Sequence, residues 1–252
     1  MNTKLSLIAT LFCILLGYSC QKGDLHYSCN PQIDQWAKDN YENIQNFTKI
    51  EFESLNNGEQ KAAYAIMGTK QRHALWMAKL NDVLQLEWNP QEAEHIKSLI
   101  LFVEENKSLF ADNETEDDRN KFELFMYVWI EYSKETLKWD KETIYSICGD
   151  PNNAIMIKTR YGHKKLTISR SYEIGQSTLK TRSESGGTFG DCTCSQESDW
   201  CDIFGEMPSS VMSCNNNNHN CNVVRNNCGT FWKFDCNGIC KSPIAWLWKS
   251  EL

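Results

Sequence analysis

"CTCSQESDWC", residues 192–201, places three of the chain's twelve cysteines within ten positions, and five more follow by Cys240. Metal binding, redox catalysis and covalent cross-linking all gather cysteines, and the redox compartment decides among them. The compartment is written at the other end of the chain. Residues 1–24 read MNTKLSLIATLFCILLGYSCQKGD, with Lys4 ahead of a thirteen-residue apolar run at 5–17. That run is too short to span a bilayer and has the length of a secretory h-region. The chain is therefore expected to be exported.

The run ends Leu16-Gly17-Tyr18-Ser19-Cys20. Small residues at Gly17 and Ser19 give a signal peptidase room, and the arrangement resembles a bacterial lipobox. Residues 1–19 are then a lipoprotein signal peptide, and the Cys20 thiol takes a diacylglyceryl group. The alternative is an ordinary signal cut near Ser19 that leaves Cys20 free. Gln21-Lys22-Gly23-Asp24 resembles the short polar tag of surface lipoproteins of Bacteroidota. Each buried CH₂ of an acyl chain contributes about 0.8 kcal/mol, so several chains anchor where one does not. The expected location is the outer membrane or cell surface, held by the N-terminal lipid; a periplasm-facing or secreted form is the other possibility. No later run is long and apolar enough to read as a transmembrane helix.

Outside the cytosol thiols oxidise, so clustered cysteines default to disulfides. With Cys13 leaving in the signal and Cys20 lipidated, ten remain: Cys29, Cys148, Cys192, Cys194, Cys201, Cys214, Cys221, Cys228, Cys236 and Cys240. Both the first two and the last eight are even sets, which favours full pairing. A Cys29–Cys148 bridge would close the helical region end to end, worth about 4 to 5 kcal/mol in the chain-entropy treatment. The alternative is two unpaired cysteines, with Cys148 a buried apolar filler.

Residues 20–150 read as a helical domain. Asn30-Pro31 is a cap with proline at the first helical position, followed by Ile33, Trp36, Ala37, Tyr41 and Ile44 at helical spacing. A second helix is expected over 57–67, closed by Gly68, and a third capped by Thr69. Asn89-Pro90-Gln91-Glu92 resembles a capping box opening a fourth. A fifth carries Phe122, Phe125, Met126, Trp129, Ile130 and Leu137, and a sixth spans 140–148. Residues 151–190 form a β-rich connector and linker. Its hairpin candidate turns at Tyr161-Gly162-His163-Lys164, and "SESGGTFG" comes after it in linker proportions. Gly186-Gly187 offers a double-glycine processing site that would free the cysteine-rich segment.

Residues 191–252 make the last unit. Between 192 and 240 eight cysteines occupy 49 residues, too few to bury an apolar core that offsets conformational entropy. About four disulfides at roughly 2 to 4 kcal/mol each can replace that core. Cys192 and Cys194 lie two apart and are expected to reach separate distant partners; the connectivity stays open, since eight cysteines allow about 105 pairings. Trp200, Phe231, Trp232, Phe234, Trp246 and Trp248 are expected to pack against the bridges. The fold class is α+β: a helical N-terminal domain followed by a small disulfide-rich, β-containing module.

"CTCSQESDWC" and "CNVVRNNCGTFWKFDCNGIC" together resemble the bacteriocin fulvocin C and the larger fulvocin C-related proteins. The shared features are a paired Cys-x-Cys, a Ser-Asp-aromatic-Cys, a Cys-Gly-Thr followed by Trp, and a late Cys-Asn-Gly. The resemblance covers about the last fifth of the chain. It departs near Cys236, where the family pattern has two closely spaced cysteines and this chain has Asp235-Cys236 with Cys240 following. The resemblance implies a bacteriocin-like, non-enzymatic recognition or antibacterial role, with an unknown protein or cell-surface target. Trp200, Trp232, Trp246 and Trp248 are the candidate recognition residues.

Charge constrains how such a module would act. From 188 to 252 four basic residues face seven acidic ones, a net of −3. Anionic membranes would repel it, so binding through aromatics to a receptor or wall component is the expected mode. The second functional class is an envelope structural or adhesion protein without killing activity. A third, a zinc enzyme, has little support: the five histidines (His26, His73, His95, His163, His219) are scattered and Cys-x-x-Cys is absent. His219 is the best metal candidate and reads more simply as a solvated loop residue. Protease, hydrolase and phosphate-loop motifs are missing. No catalytic residue, metal or cofactor is expected, and a formal charge of −7 argues against nucleic acid.

Overall fold

Six side-chain caps punctuate residues 30–140, each worth about 1 kcal/mol, and they set where six of the helices begin. The computed structural model describes residues 26–28, 30–152, 156–158, 165–167, 192–201, 213–215, 221 and 223–241. The signal peptide, Cys20, Cys29, the hairpin turn, Gly186-Gly187, His219, Trp246 and Trp248 lie outside the described residues.

Among the described residues eight α-helices come first: α1 (Pro31–Asp39), α2 (Tyr41–Ile44), α3 (Lys49–Ser54), α4 (Asn57–Ile66), α5 (Thr69–Leu84), α6 (Pro90–Glu105), α7 (Glu116–Glu135) and α8 (Lys141–Cys148). Asn30 Oδ1 accepts from the backbone N–H groups of Gln32 and Ile33 and starts α1. Reciprocal capping boxes start α3 (Thr48 with Glu51), α4 (Asn56 with Glu59) and α6 (Asn89 with Glu92). Thr115 opens α7 and Asp140 opens α8. Thr69 is not a cap: it is the first residue of α5, and Gly68 before it offers no side chain. The single stripe expected from Ile33 to Ile44 is split, because Asn40 leaves the helical region (φ −105°, ψ 11°).

The core takes one face from each long helix: Trp76, Leu80 and Val83 from α5, Ile96 and Leu99 from α6, Phe122, Met126 and Trp129 from α7, Ile144 and Ile147 from α8. Each large apolar side chain buried here contributes about 1.5 to 3 kcal/mol. A 3-10 turn, Lys107–Phe110, carries Leu109 and Phe110 under the bundle. Among the described residues no helix is long and apolar enough to cross a membrane.

Beyond the helices, β1 (Met156–Lys158) pairs antiparallel with β2 (Lys165–Thr167), Ile157 opposite Leu166. Two more antiparallel pairs build the module. β3 (Ser213–Asn215) lies against β6 (Ile239–Lys241), and β4 (Val224–Cys228) against β5 (Phe234–Cys236). The fold is α+β, a helical region followed by a stapled region of short strands.

Four disulfides hold the module: Cys192–Cys221, Cys194–Cys214, Cys201–Cys240 and Cys228–Cys236. Cys214 and Cys240 face each other across the β3–β6 ladder. One reaches back to Cys194 and the other to Cys201, so the "CTCSQESDWC" segment is sewn onto that ladder at two points.

The expected Cys29–Cys148 bridge is corrected. Cys148 is a free thiol, fully buried at the end of α8, and its S–H donates to the Ile144 carbonyl at 3.2 Å. Even numbers cannot separate a paired cysteine from one that fills apolar space. Burial pushes the Cys148 thiol far up from its ordinary value, so in the folded protein it is a poor nucleophile.

Candidate functional site

Specific contacts converge where the module meets the helical core. Between β4 and β5 the chain turns through Gly229 and a 3-10 element, Thr230–Trp232. The Cys228–Cys236 bridge closes this turn at its base, making a nine-residue loop, CGTFWKFDC. Gly229 sits at φ 71°, ψ −161°, and a Cβ there would lie 2.6 Å from Ser198 Cβ, so only glycine fits. Phe231 and Trp232 come next at φ 54° and 53°. Two consecutive left-handed aromatic residues cost about 1–2 kcal/mol each and need a compensating environment.

The helical domain supplies it. Phe231 is fully buried and Trp232 is 7% exposed, both inside the helical hydrophobic cluster. The Phe231 ring lies 4.6 Å from Trp76, and edge-on to Phe110 (6.2 Å) and Phe122 (6.0 Å). Trp232 meets Tyr64 edge-on at 5.3 Å and tilts over Phe52 at 6.3 Å. These aromatic pairs favour such offset and edge geometries. Polar atoms are matched as well. Tyr64 Oη donates to the Phe231 carbonyl at 3.2 Å and accepts from Trp76 Nε1 at 3.1 Å. Trp232 Nε1 donates to the Gly149 carbonyl at 3.2 Å.

The rim of the seat is charged and hydrogen-bonded. Lys233 Nζ binds the Leu109 carbonyl and the Glu114 carboxylate, with both side chains close to nine-tenths buried. Burial lowers the Lys233 pKa, and the Glu114 carboxylate works against that shift. Asn227 Nδ2 donates to the Lys61 carbonyl at 3.1 Å, and the Lys61 ammonium lies 3.5 and 3.6 Å from the sulfurs of Cys228 and Cys236. Beside the loop, Trp200 packs on Tyr145 at 5.5 Å with the Lys141 ammonium over its ring. Trp200 Nε1 and Asn227 Oδ1 are buried without a hydrogen-bond partner among the described residues.

The seam leaves a cavity of about 40 Å³ lined in part by Arg72, Asp112, Glu114, Arg119, Trp232 and Lys233. That space suits a few waters. Arg72 is bound to the Tyr64, Ala65 and Phe110 carbonyls and to Asp112.

Each stretch quoted from the module has a structural task. Ser198 Oγ accepts from Thr230 N–H at 3.0 Å, tying "SDWC" to the loop. Asp199 accepts from Cys201 N–H and Cys214 N–H, both at 2.8 Å, which fixes two half-cystines. Asn237 Oδ1 accepts from Gln196 N–H at 2.9 Å. Gly238 exchanges backbone hydrogen bonds with Cys194 at 3.1 Å, and a Cβ on it would press 2.6 Å from Cys214 Sγ.

Other chemistry-bearing groups fall into structural roles. The sulfurs of Cys194, Cys201 and Cys214 lie within 4.8 Å of one another, yet all belong to bridges and offer no thiolate to a metal. His95 stacks on Trp129 at 4.5 Å, and its Nε2 faces both the Trp129 carbonyl and Ser133 Oγ. Ser133 Oγ also lies 2.8 Å from that carbonyl, so ring nitrogen, hydroxyl and carbonyl form one closed hydrogen-bonded group. Burial lowers the pKa of both His95 and His73.

For two of the four candidate recognition tryptophans the structure makes a correction; Trp246 and Trp248 lie outside the described residues. Trp200 and Trp232 are covered by the helical domain and present no free face, because their rings complete its core. Tyr64, Lys61 and the Lys233–Glu114 pair were not singled out by sequence reading, and Phe231, expected against the bridges, lies in the helical core. The legible signal was an aromatic run bracketed by Cys228 and Cys236 eight positions apart. No model of a known protein family matches this chain, and no curated protein or solved structure matches it.

Proposed function

We propose that this chain is a lipid-anchored protein of the bacterial envelope whose stapled module acts by non-enzymatic recognition, in antagonism between neighbouring bacteria. The observation that carries the reading is the disulfide framework. Four bridges fix a small polar module in which the residues that resemble fulvocin C hold half-cystines, turns and the aromatic loop in place. A module built this way keeps a recognition surface rigid at low ordering cost. The leader and Cys20 support the envelope location, and the acidic module favours a protein or wall target over bare anionic lipid.

The test compares oxidised and reduced protein, purified in full length, on related strains. Growth inhibition by the oxidised form alone is expected. No inhibition at any dose would remove antagonism. A second reading, an envelope structural or adhesion protein, draws on the burial of Trp200 and Trp232, which withholds both from an outside target. It expects a deletion strain to lose surface binding while competing normally with its neighbours.

A further inference from the structure

The contact between the two halves has the anatomy of a recognition interface. Its centre is a pair of aromatic anchors, Phe231 and Trp232, in a desolvated seat. Around them lies a rim of charge and hydrogen bonds: Lys233 with Glu114, Asn227 with Lys61, Lys141 over Trp200. Hot-spot interfaces are organised in this way.

The loop is also organised as a ligand. Its ends are joined by the Cys228–Cys236 bridge, its entry is set by Gly229, and Ser198 and Thr230 brace it from within the module. Its base is thus held by bonds inside the module, and the ordering left for docking is confined to Phe231 and Trp232 at its tip. The seat is organised as a receptor. Tyr64, Trp76 and Phe122 come from three different helices and share one buried cluster, and Leu109 and Gly149 turn carbonyl oxygens to the incoming donors. Every contact named here is made by residues outside 168–191.

We propose that the helical domain is a binding domain for the module's own loop, and that the two halves stay together when the chain between them is cut. The ligand the seat accepts has a stated chemistry: a rigid turn presenting two adjacent aromatic side chains followed by a lysine, with the second aromatic donating an N–H. A second copy of the module meets that description. The inference goes beyond the antagonism reading and does not need it, because it concerns association and not killing.

The experiment places a site for a sequence-specific protease after Gly187 in the full-length chain. The protein is folded, its four bridges are verified by mass, and it is cut. Size-exclusion chromatography at low-micromolar concentration should return one species containing both pieces, in high salt as well as low, since the anchors are apolar. Separation of the cut wild-type pieces would overturn the proposal. Phe231→Ala with Trp232→Ala should weaken the cut complex about a thousandfold, from two anchors worth roughly thirtyfold each, and separate it. A cut double variant that stays whole would equally overturn it. Should that variant fail to acquire its bridges, Lys233→Met tests the same contact from the rim. Dissociation about tenfold faster is expected on losing the charge-assisted bonds, and an unchanged rate refutes the assignment.

Discussion

Replacing Trp232 tests the seat of the loop and the backbone that presents it at once. The side chain is 7% exposed and donates to the Gly149 carbonyl. Truncating a buried tryptophan to alanine costs about 3–5 kcal/mol, and the φ of 53° stays unfavourable for alanine because it keeps a Cβ. For a chain of this size each kcal/mol lowers Tm by about 2–4 °C, so Trp232→Ala should melt roughly 8–16 °C lower, taking about 4 kcal/mol. Trp232→Gly loses the same packing but recovers about 1–2 kcal/mol of left-handed strain, against about 0.5–1 kcal/mol of extra chain entropy. The glycine variant should therefore equal or exceed the alanine variant in stability, reversing the usual order. Urea unfolding with the disulfides intact, followed by tryptophan fluorescence and far-ultraviolet dichroism, reads both quantities. A loss below about 1 kcal/mol for alanine, or a glycine variant clearly worse than alanine, would refute this seat and its backbone.

Cys148 should resist alkylation in the folded protein and react once the chain is unfolded without reductant; recovery of a Cys148–Cys29 peptide would show the free-thiol reading to be wrong. Burial lowers the Lys79 pKa to about 8, below its unfolded value, so the unfolded chain binds more protons above that pH and stability rises with pH through the window. Against Lys79→Met, wild type should gain about 2 kcal/mol between about pH 7.5 and about pH 9.5; a flat difference in urea midpoints would contradict it. Gly229→Ala should cost at least about 2 kcal/mol, from a backbone region open almost only to glycine and from contact with Ser198. Calorimetry that finds it neutral would remove the required turn.

The helical half was largely legible because its signals are local. Asn30-Pro31 and Asn89-Pro90-Gln91-Glu92 carry their caps within four residues, and the apolar positions of α5 to α8 recur at the period that a helix imposes. The split at Asn40 was hidden because the apolar spacing runs straight through it. In the module, cysteine density announced the staples, but which sulfur meets which depends on the β3–β6 ladder, a non-local pairing of three-residue strands. Trp232 was misread for a sharper reason. Aromatic residues disfavour positive φ, so nothing in Phe231-Trp232 reveals that this backbone turns both rings away from the bridges and into another domain. Parity misjudged Cys148 because it counts sulfurs without weighing the cavity each one fills.

The bridges overlap along the sequence: the Cys201–Cys240 bond spans Cys214, Cys221, Cys228 and Cys236, while Cys192 and Cys194 each bond to a partner inside that span. Any one peptide bond broken between 192 and 240 therefore leaves a single covalent molecule, since at least one sulfur bond always crosses the break. A first nick by a peptidase anywhere in that span would open the backbone and detach nothing.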